Sequence, residues 1–234
     1  MNSTKVVKEN SMKNFHASKN QATRRIPLIA CAAALATALM VSLPQPAQSQ
    51  SIIVPTVPDN LKVDKGSEVF LVGHATGTQN YECQPIGAGF GYVLFTPEAT
   101  LFNDHFDQLI THFFSVNPDP DDNGAIRATW EDSRDTSTIW AKAIAQADHS
   151  TDPTFVEQGA VAWVLLEVVG HMDGPTGGDR LSDETTFVQR LNTHGGVAPS
   201  TGCASSADIG TKAFVPYRAD YFFYHGPDKD NDGN

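Results

Sequence analysis

Short runs in which apolar and polar residues alternate follow one another through most of the chain. The clearest is residues 126–130, and residues 185–193 alternate in the same way. Alternation with a period of two is typical of a β-strand with one buried face. Residues 161–169 are instead apolar on both parities, which predicts a strand covered on both faces. Thr138–Ala147 fits a strand or a helix, because it is rich in alanine but also carries β-prone residues.

Residues 68–83 organise the first half of the domain. Their pattern predicts two short strands bent at residues 74–77. A glycine-rich connection follows at residues 85–91, and residues 92–95 predict another strand. Residues 97–107 contain many turn formers, and we expect a turn-rich stretch there.

The complete pattern predicts the fold class. Further β-prone runs lie at residues 109–114 and 214–225, so the chain contains about eight or more short strands and no convincing amphipathic helix. This is typical of a single all-β domain, either a β-sandwich or a barrel of antiparallel strands. We place this domain at residues 50–225 and a short acidic tail at residues 226–234.

The first 49 residues have the pattern of a cleaved export signal. A stretch with six basic residues precedes an apolar run at residues 26–43, and the small residues Ala47 and Ser49 fit a signal-peptidase site. The mature chain is therefore expected to begin near Gln50, with no membrane span after cleavage. An uncleaved membrane anchor is the alternative, although Pro27 and Pro44 shorten the apolar run.

Two other export routes fit parts of the same segment. Cys31 ends a run that resembles the lipobox of bacterial lipoproteins, but it follows Arg25 too closely for the apolar stretch to precede it. Arg24 and Arg25 form a partial twin-arginine motif. The expected location is the periplasm or the medium.

The charge of the mature domain excludes several partners. Without residues 1–49 the chain has 10 lysines and arginines against 26 aspartates and glutamates, a formal net charge of −16. Nucleic acid and anionic membrane surfaces are therefore unsuitable partners. A glycan, a cell surface or a small molecule remains open as the ligand.

Two cysteines, Cys83 and Cys203, remain after removal of the signal. An even number of cysteines in an oxidising compartment predicts a disulfide. Two free buried thiols are the alternative.

Histidines and carboxylates provide the candidates for catalysis. The seven mature histidines show no HxH or HExxH spacing that would predict a zinc site. If His74 and His112 lie close together in the folded protein, they would form a pair of metal ligands or an acid–base couple. Asp104 and Glu131 are the candidate carboxylates, and ordinary structural histidines are the alternative.

Two acidic segments match the opening of an EF-hand loop. Asp119, Asp121 and Asn123 form the first, and Asp228, Asp230 and Asp232 form the second. Neither has the glutamate at the twelfth position, so solvated acidic turns are expected and weak calcium binding is the alternative. No cofactor is predicted; calcium or a transition metal stays open.

Seven blocks occur in a characteristic order. They are GTQNYEC (77–83), FTPEATLFND (95–104), THFF (111–114), ATWED (128–132), AWVLLEVV (162–169), FVQRLNTHGGVAPSTGC (187–203) and VPYRADYFFY (215–224). In these blocks the chain resembles the secreted family named domain of unknown function 3455. The resemblance implies an exported protein and no particular activity.

The sequence therefore favours a non-catalytic binding or surface-associated β domain outside the cytoplasm. The alternative is a metal-dependent or hydrolytic enzyme that uses histidines and carboxylates in a cleft.

Overall fold

The structure is a computed structural model that describes residues 51–183 and 185–227. The predicted signal peptide, residues 1–49, lies outside the described residues. Residues 228–234 of the predicted acidic tail also lie outside them. Within the described ranges, no helix is long and apolar enough to cross a membrane.

Eight antiparallel strands form a closed barrel in chain order. They are β1 (Glu68–Ile86), β2 (Gly89–Phe102), β3 (Gln108–Val116), β4 (Ile126–Asp132), β5 (Thr138–Ala147), β6 (Trp163–Met172), β7 (Thr185–Gly195) and β8 (Lys212–His225). Each strand pairs with the next, and β8 returns to pair with β1. The predicted all-β domain is confirmed, and the barrel is the form that it takes.

Two local predictions about β1 and β2 were wrong. β1 does not bend at residues 74–77, because these residues pair with β2 on one side and β8 on the other. β2 continues to Phe102, so residues 97–102 form a strand and not a turn. Cross-strand pairing outweighs the local preference for a turn here. The segment left open between helix and strand, Thr138–Ala147, is strand β5.

The alternating residues form two apolar clusters, one inside the barrel and one on its outer surface. Trp130, Tyr217, Tyr221 and Phe223 are the aromatic members of the buried inner cluster. The outer cluster includes Leu61 and Phe222, and it lies beneath residues 52–63, which precede β1. Both faces of the sheet are therefore buried over part of the barrel, in agreement with the apolar runs of the sequence.

The segment between β6 and β7 covers one end of the barrel. Leu181 is completely buried in the inner cluster, and its N–H donates to the Ser137 hydroxyl at 3.0 Å. Arg180 donates to the buried carboxylate of Asp132 at 2.9 Å. Asp135 accepts from Ser137 and from the Arg180 N–H. This network closes the end near the β4–β5 turn, so any access to the interior comes from the other end.

The predicted cysteine pair holds the β1–β2 hairpin against the segment before β8. Cys83 and Cys203 lie at disulfide distance, with their Cα atoms 5.5 Å apart. Two backbone hydrogen bonds flank the pair, from the Cys83 N–H to the Thr211 carbonyl and from the Gly210 N–H to the Cys83 carbonyl. The hairpin is thereby fixed at the open end of the barrel.

Candidate functional site

A cavity of about 350 Å³ lies inside the barrel, and side chains from all eight strands line it. Most of the wall is apolar or aromatic, and the buried polar residues in it are few. The lining includes Gln79, His112, Ile126, Trp130, Ala143, Gln146, Val164, Arg190 and Tyr221.

Strand register explains why polar side chains point inward. Arg190 on β7 lies opposite Val164 on β6 and Tyr221 on β8, while His112 on β3 lies opposite Trp130 on β4. Residues directly opposite each other on neighbouring strands project from the same face of a sheet. Because Val164, Tyr221 and Trp130 belong to the inner cluster, Arg190 and His112 project into the barrel.

The cavity opens where β4 and β5 separate. These strands share only four residue pairs, so their ends near Ile126 and Ala143 are apart. β5 also has a bulge between Ala143 and Ala145, and this irregularity places Gln146 opposite the inward-facing Val164. Ile126, Ala143 and Gln146 are exposed and line the cavity, so they mark its mouth.

His112 is a neutral hydrogen-bond acceptor in the cavity wall. Its side chain is 2% exposed, and burial lowers its pKa to about 3 against the opposing effect of its bond to Thr129. Its Nδ1 lies 2.8 Å from the Thr129 carbonyl oxygen. A carbonyl can only accept, so Nδ1 carries the proton and Nε2 has a free lone pair. Among the described residues, none hydrogen-bonds Nε2.

Arg190 brings a positive charge to the same cavity. Its Nε and Nη2 donate to one backbone oxygen, that of Ala162, at 3.1 and 2.9 Å. Within residues 51–183 and 185–227 no carboxylate forms an ion pair with it. A single carbonyl does not neutralise a guanidinium, and no residue in the described part of the chain accepts a hydrogen bond from Nη1. The charge also contributes to the low pKa of His112.

Neutral polar groups complete the interior. The hydroxyls of Tyr217 and Tyr221 lie 3.3 Å apart, and burial raises the pKa of Tyr217 well above its usual value. Gln79 is 1% exposed and lines the cavity beside them. Two further cations, Arg127 and Lys142, line the cavity, and they form ion pairs with Asp122 and Glu167. Among the described residues, Arg190 is therefore the cavity cation without a carboxylate partner.

His74 lies on the outer face of the barrel, between two aspartates. Its Nδ1 is 2.7 Å from Asp220 Oδ1, and its Nε2 is 3.0 Å from Asp104 Oδ1. Asn192 donates to the other oxygen of Asp220 at 2.8 Å. Partial burial disfavours the imidazolium, but Asp220 and then Asp104 outweigh it and raise the pKa of His74.

A tight turn presents Asp104 to His74. The side-chain oxygen of Asn103 accepts from the N–H groups of His105 and Asp107, both at 2.9 Å. Asparagine stabilises such turns by bonding backbone amides two and more residues ahead. The groove beside this cluster measures about 510 Å³ and includes Phe222.

The predicted candidates separate into different regions. His74 and Asp104 are in contact. His112 is inside the barrel and His74 is outside, so these two histidines do not converge as the candidate pair would require. Glu131 lies on β4 opposite Thr111 and Thr138, and it projects from the other face of the sheet than its neighbour Trp130 and His112.

Sequence reasoning did not find Asp220, Asn192 or Arg190 as site residues. The alternation of residues 185–193 places Arg190 and Gln189 on different faces of the strand, but it does not indicate which face is the interior. Asp220 follows His74 by 146 positions, and no local motif marks it.

The first calcium candidate has other partners. The Asp119 carboxylate accepts from the Asp121 N–H at 2.9 Å and caps a short 3-10 turn, while Asn123 occupies the left-handed region. Asp228, Asp230 and Asp232 lie outside the described residues. No group of three or more histidine, cysteine or acidic side chains suited to a metal ion occurs in the described part of the chain.

Comparisons with curated proteins and with solved structures give no match. The family model described as "Protein of unknown function (DUF3455)" matches residues 64–225, which cover β1 to β8. This match spans more than half of the chain and agrees with the resemblance seen in the seven ordered blocks. The chain belongs to the DUF3455 family.

Proposed function

We propose that this protein is a non-catalytic binding protein that holds one small molecule inside its barrel. The observation that carries the proposal is the cavity of about 350 Å³ lined by all eight strands. The interior of an eight-stranded barrel is either filled by side chains or holds one small ligand, and here a cavity remains. Ligand pockets usually measure about 300–1,000 Å³ and combine apolar walls with a few polar groups, so this cavity suits a compact ligand.

The location proposed for this binding is outside the cytoplasm. The basic and apolar segments of residues 1–49 support export, and the Cys83–Cys203 pair suits an oxidising compartment. An acidic domain would also remain soluble there.

The test is a binding titration with phenylnaphthylamine, an uncharged dye that fluoresces in apolar surroundings. The wild-type protein is expected to bind one equivalent. Ala143→Trp places an indole at the cavity mouth and is expected to weaken binding at least tenfold, which is about 1.4 kcal/mol.

Ile144→Trp is the matched control, because Ile144 is a neighbouring residue, 48% exposed, that does not line the cavity. This variant should bind the dye as the wild type does. Equal affinity of the wild type and Ala143→Trp, with both melting at the same temperature, would show that the dye does not enter the barrel.

A hydrolytic enzyme is the second candidate, and the His74 cluster is the observation in its favour. A histidine beside a carboxylate in a groove can act as a general base. Both ring nitrogens already contact aspartates, so Asp104 would have to release Nε2 first. Hydrolysis of chromogenic esters that is lost in His74→Asn would support this candidate, and activity unaffected by the change would exclude His74.

A further inference from the structure

We infer that the ligand of the barrel is a compact organic anion, largely apolar, whose acidic group binds Arg190 and which also carries a hydrogen-bond donor for His112. This inference rests on the proposed function and specifies the chemical class of the ligand.

The acidic group follows from the partners of Arg190. The guanidinium has five N–H donors, and two of its three nitrogens converge on the single carbonyl of Ala162. Arg190 is partly buried, and removing a charge from water is costly unless the charge is paired. Because no described carboxylate pairs with Arg190, a carboxylate or sulfonate entering the cavity would supply the missing partner.

The donor follows from the tautomer of His112. Its Nδ1–H is committed to Thr129, so only the Nε2 lone pair is available to a ligand. A hydroxyl or amine N–H can satisfy this acceptor, whereas a second acceptor would be repelled. Arg190 and His112 are therefore complementary to two different groups of one molecule.

The aromatic and apolar residues of the cavity wall indicate that the rest of the ligand is apolar. Trp130 stacks on His112 with ring centroids 4.5 Å apart, and Tyr221 lies 5.1 Å from the same imidazole. Phe114, Val164 and Leu166 extend the apolar surface. Such walls favour an apolar or aromatic body and exclude a strongly hydrated ion such as inorganic phosphate.

The negative net charge of the protein makes the positive charge of Arg190 important for selecting the ligand. The mature domain has a formal net charge of −16, so its outer surface repels anions in general. Affinity for an anion must then come from a local positive group. Arg127 and Lys142 also line the cavity, but each is already paired with a carboxylate, so among the described residues Arg190 is the cavity cation that is available to a ligand.

Two related dyes test the inference. Anilinonaphthalene sulfonate has an anionic group, an aromatic body and an N–H donor, while phenylnaphthylamine has the same body and N–H without the charge. The wild type should bind the sulfonate at least tenfold more tightly. Arg190→Met should remove this preference and change phenylnaphthylamine affinity less than twofold, with Arg190→Lys intermediate. Arg134→Met, which removes an exposed arginine that forms no ion pair within the described residues, is the charge-matched control and should change neither affinity.

His112→Phe tests the second contact. It should weaken both dyes, because both use the N–H donor, whereas the Arg190 variants affect only the sulfonate. Melting temperatures establish that each variant is folded, and the comparison of the two dyes on the wild type needs no variant.

The outcomes separate the two proposals. Binding of phenylnaphthylamine without preference for the sulfonate, or a preference that survives Arg190→Met, overturns the inferred ligand class and leaves the barrel as a binding site. If the folded wild type binds neither dye, the proposed function fails, and the inference fails with it.

Discussion

His74 and His112 show that the same side chain acquires opposite proton affinities from its surroundings. Burial lowers the pKa of His112 to about 3, although its bond to Thr129 opposes this. Partial burial acts in the same direction on His74, but the two neighbouring aspartates reverse the result and raise its pKa. One histidine is therefore neutral inside the barrel, and the other tends to be charged on its surface.

This contrast predicts the pH dependence of stability. Unfolded histidine binds a proton near pH 6.5, but folded His112 does not until about pH 3, so His112 makes the free energy of unfolding fall as the pH falls through this interval. His74 acts oppositely: its contribution is present below about pH 6.5 and is lost as the pH rises through its raised folded pKa. Because the His74 side chain is 42% exposed, we expect this contribution to be under about 1 kcal/mol.

Urea denaturation of two variants at pH 5, 7 and 9 measures these effects. His74→Asn should cost more stability at pH 5 than at pH 9. His112→Phe should make the loss of stability between pH 7 and pH 5 smaller than in the wild type. Parallel pH profiles for the wild type and both variants would contradict the assignment.

The sequence supplies part of this residue-level picture. The sequence places His74 at the end of an apolar run, and it places His112 on the same face of a strand as Ile110 and Phe114. It does not contain the distance from His74 to Asp220, because barrel closure brings β1 and β8 together. The sequence also does not show that the Arg190 side chain points inward, because this depends on its register with Val164 and Tyr221 in the assembled barrel.

At the scale of elements, close approach of β1 and β2 requires a residue without a side chain at Gly77. A Cβ there would overlap the Glu98 carbonyl oxygen and lie 2.6 Å from the Cα of Ala99. These are backbone atoms of a paired strand, which cannot move without disturbing the ladder. Glycine is thus a steric requirement at this position.

We expect Gly77→Ala to lower the free energy of unfolding by about 2–3 kcal/mol through this overlap. Gly89→Ala is the control in the same hairpin, since the nearest atom to its added Cβ is 3.9 Å away, and it should change stability by less than about 0.5 kcal/mol. Equal urea midpoints for the two variants would refute the steric argument.

The strands were predictable where alternation is regular, as in residues 126–130. The prediction of a turn in β2 was wrong, because Pro97 and its neighbours prefer turns locally. Pairing with β1, and from Ala99 onward also with β3, overrides this preference. At Thr96 the side chain replaces part of the ladder, because its hydroxyl accepts from the Phe114 N–H at 3.0 Å. Such replacements are properties of the assembled sheet.

At the scale of the whole molecule, the sequence could not decide between sandwich and barrel. Both contain the same kind of strand, but a sandwich packs two separate sheets face to face, whereas a barrel is one sheet closed on itself. Here β8 pairs with β1 over most of its length, and this contact closes the barrel around the cavity that Arg190 and His112 both line.

The Cys83–Cys203 crosslink should stabilise this closure substantially. The cysteines are 120 positions apart, and constraining a loop of this length in the unfolded chain contributes about 5 kcal/mol in a chain-entropy treatment. Cys83→Ala with Cys203→Ala should therefore lower the urea midpoint markedly. The wild type under reducing conditions should move toward the variant, and a reductant should not affect the variant itself. Unchanged midpoints in both experiments would show that the crosslink is not formed.

The pairing of the first strand with the last also governs the order of folding. Seven ladders join strands that are neighbours in sequence, so their hairpins can form as soon as both strands are available. The eighth joins Glu68–Ile86 to Lys212–His225 and must wait for the most distant part of the domain. Until then, β1 has an unpaired edge that can recruit strands of other chains. During synthesis the nascent sheet is thus open to misassociation, and the arrival of its final strand ends this exposure.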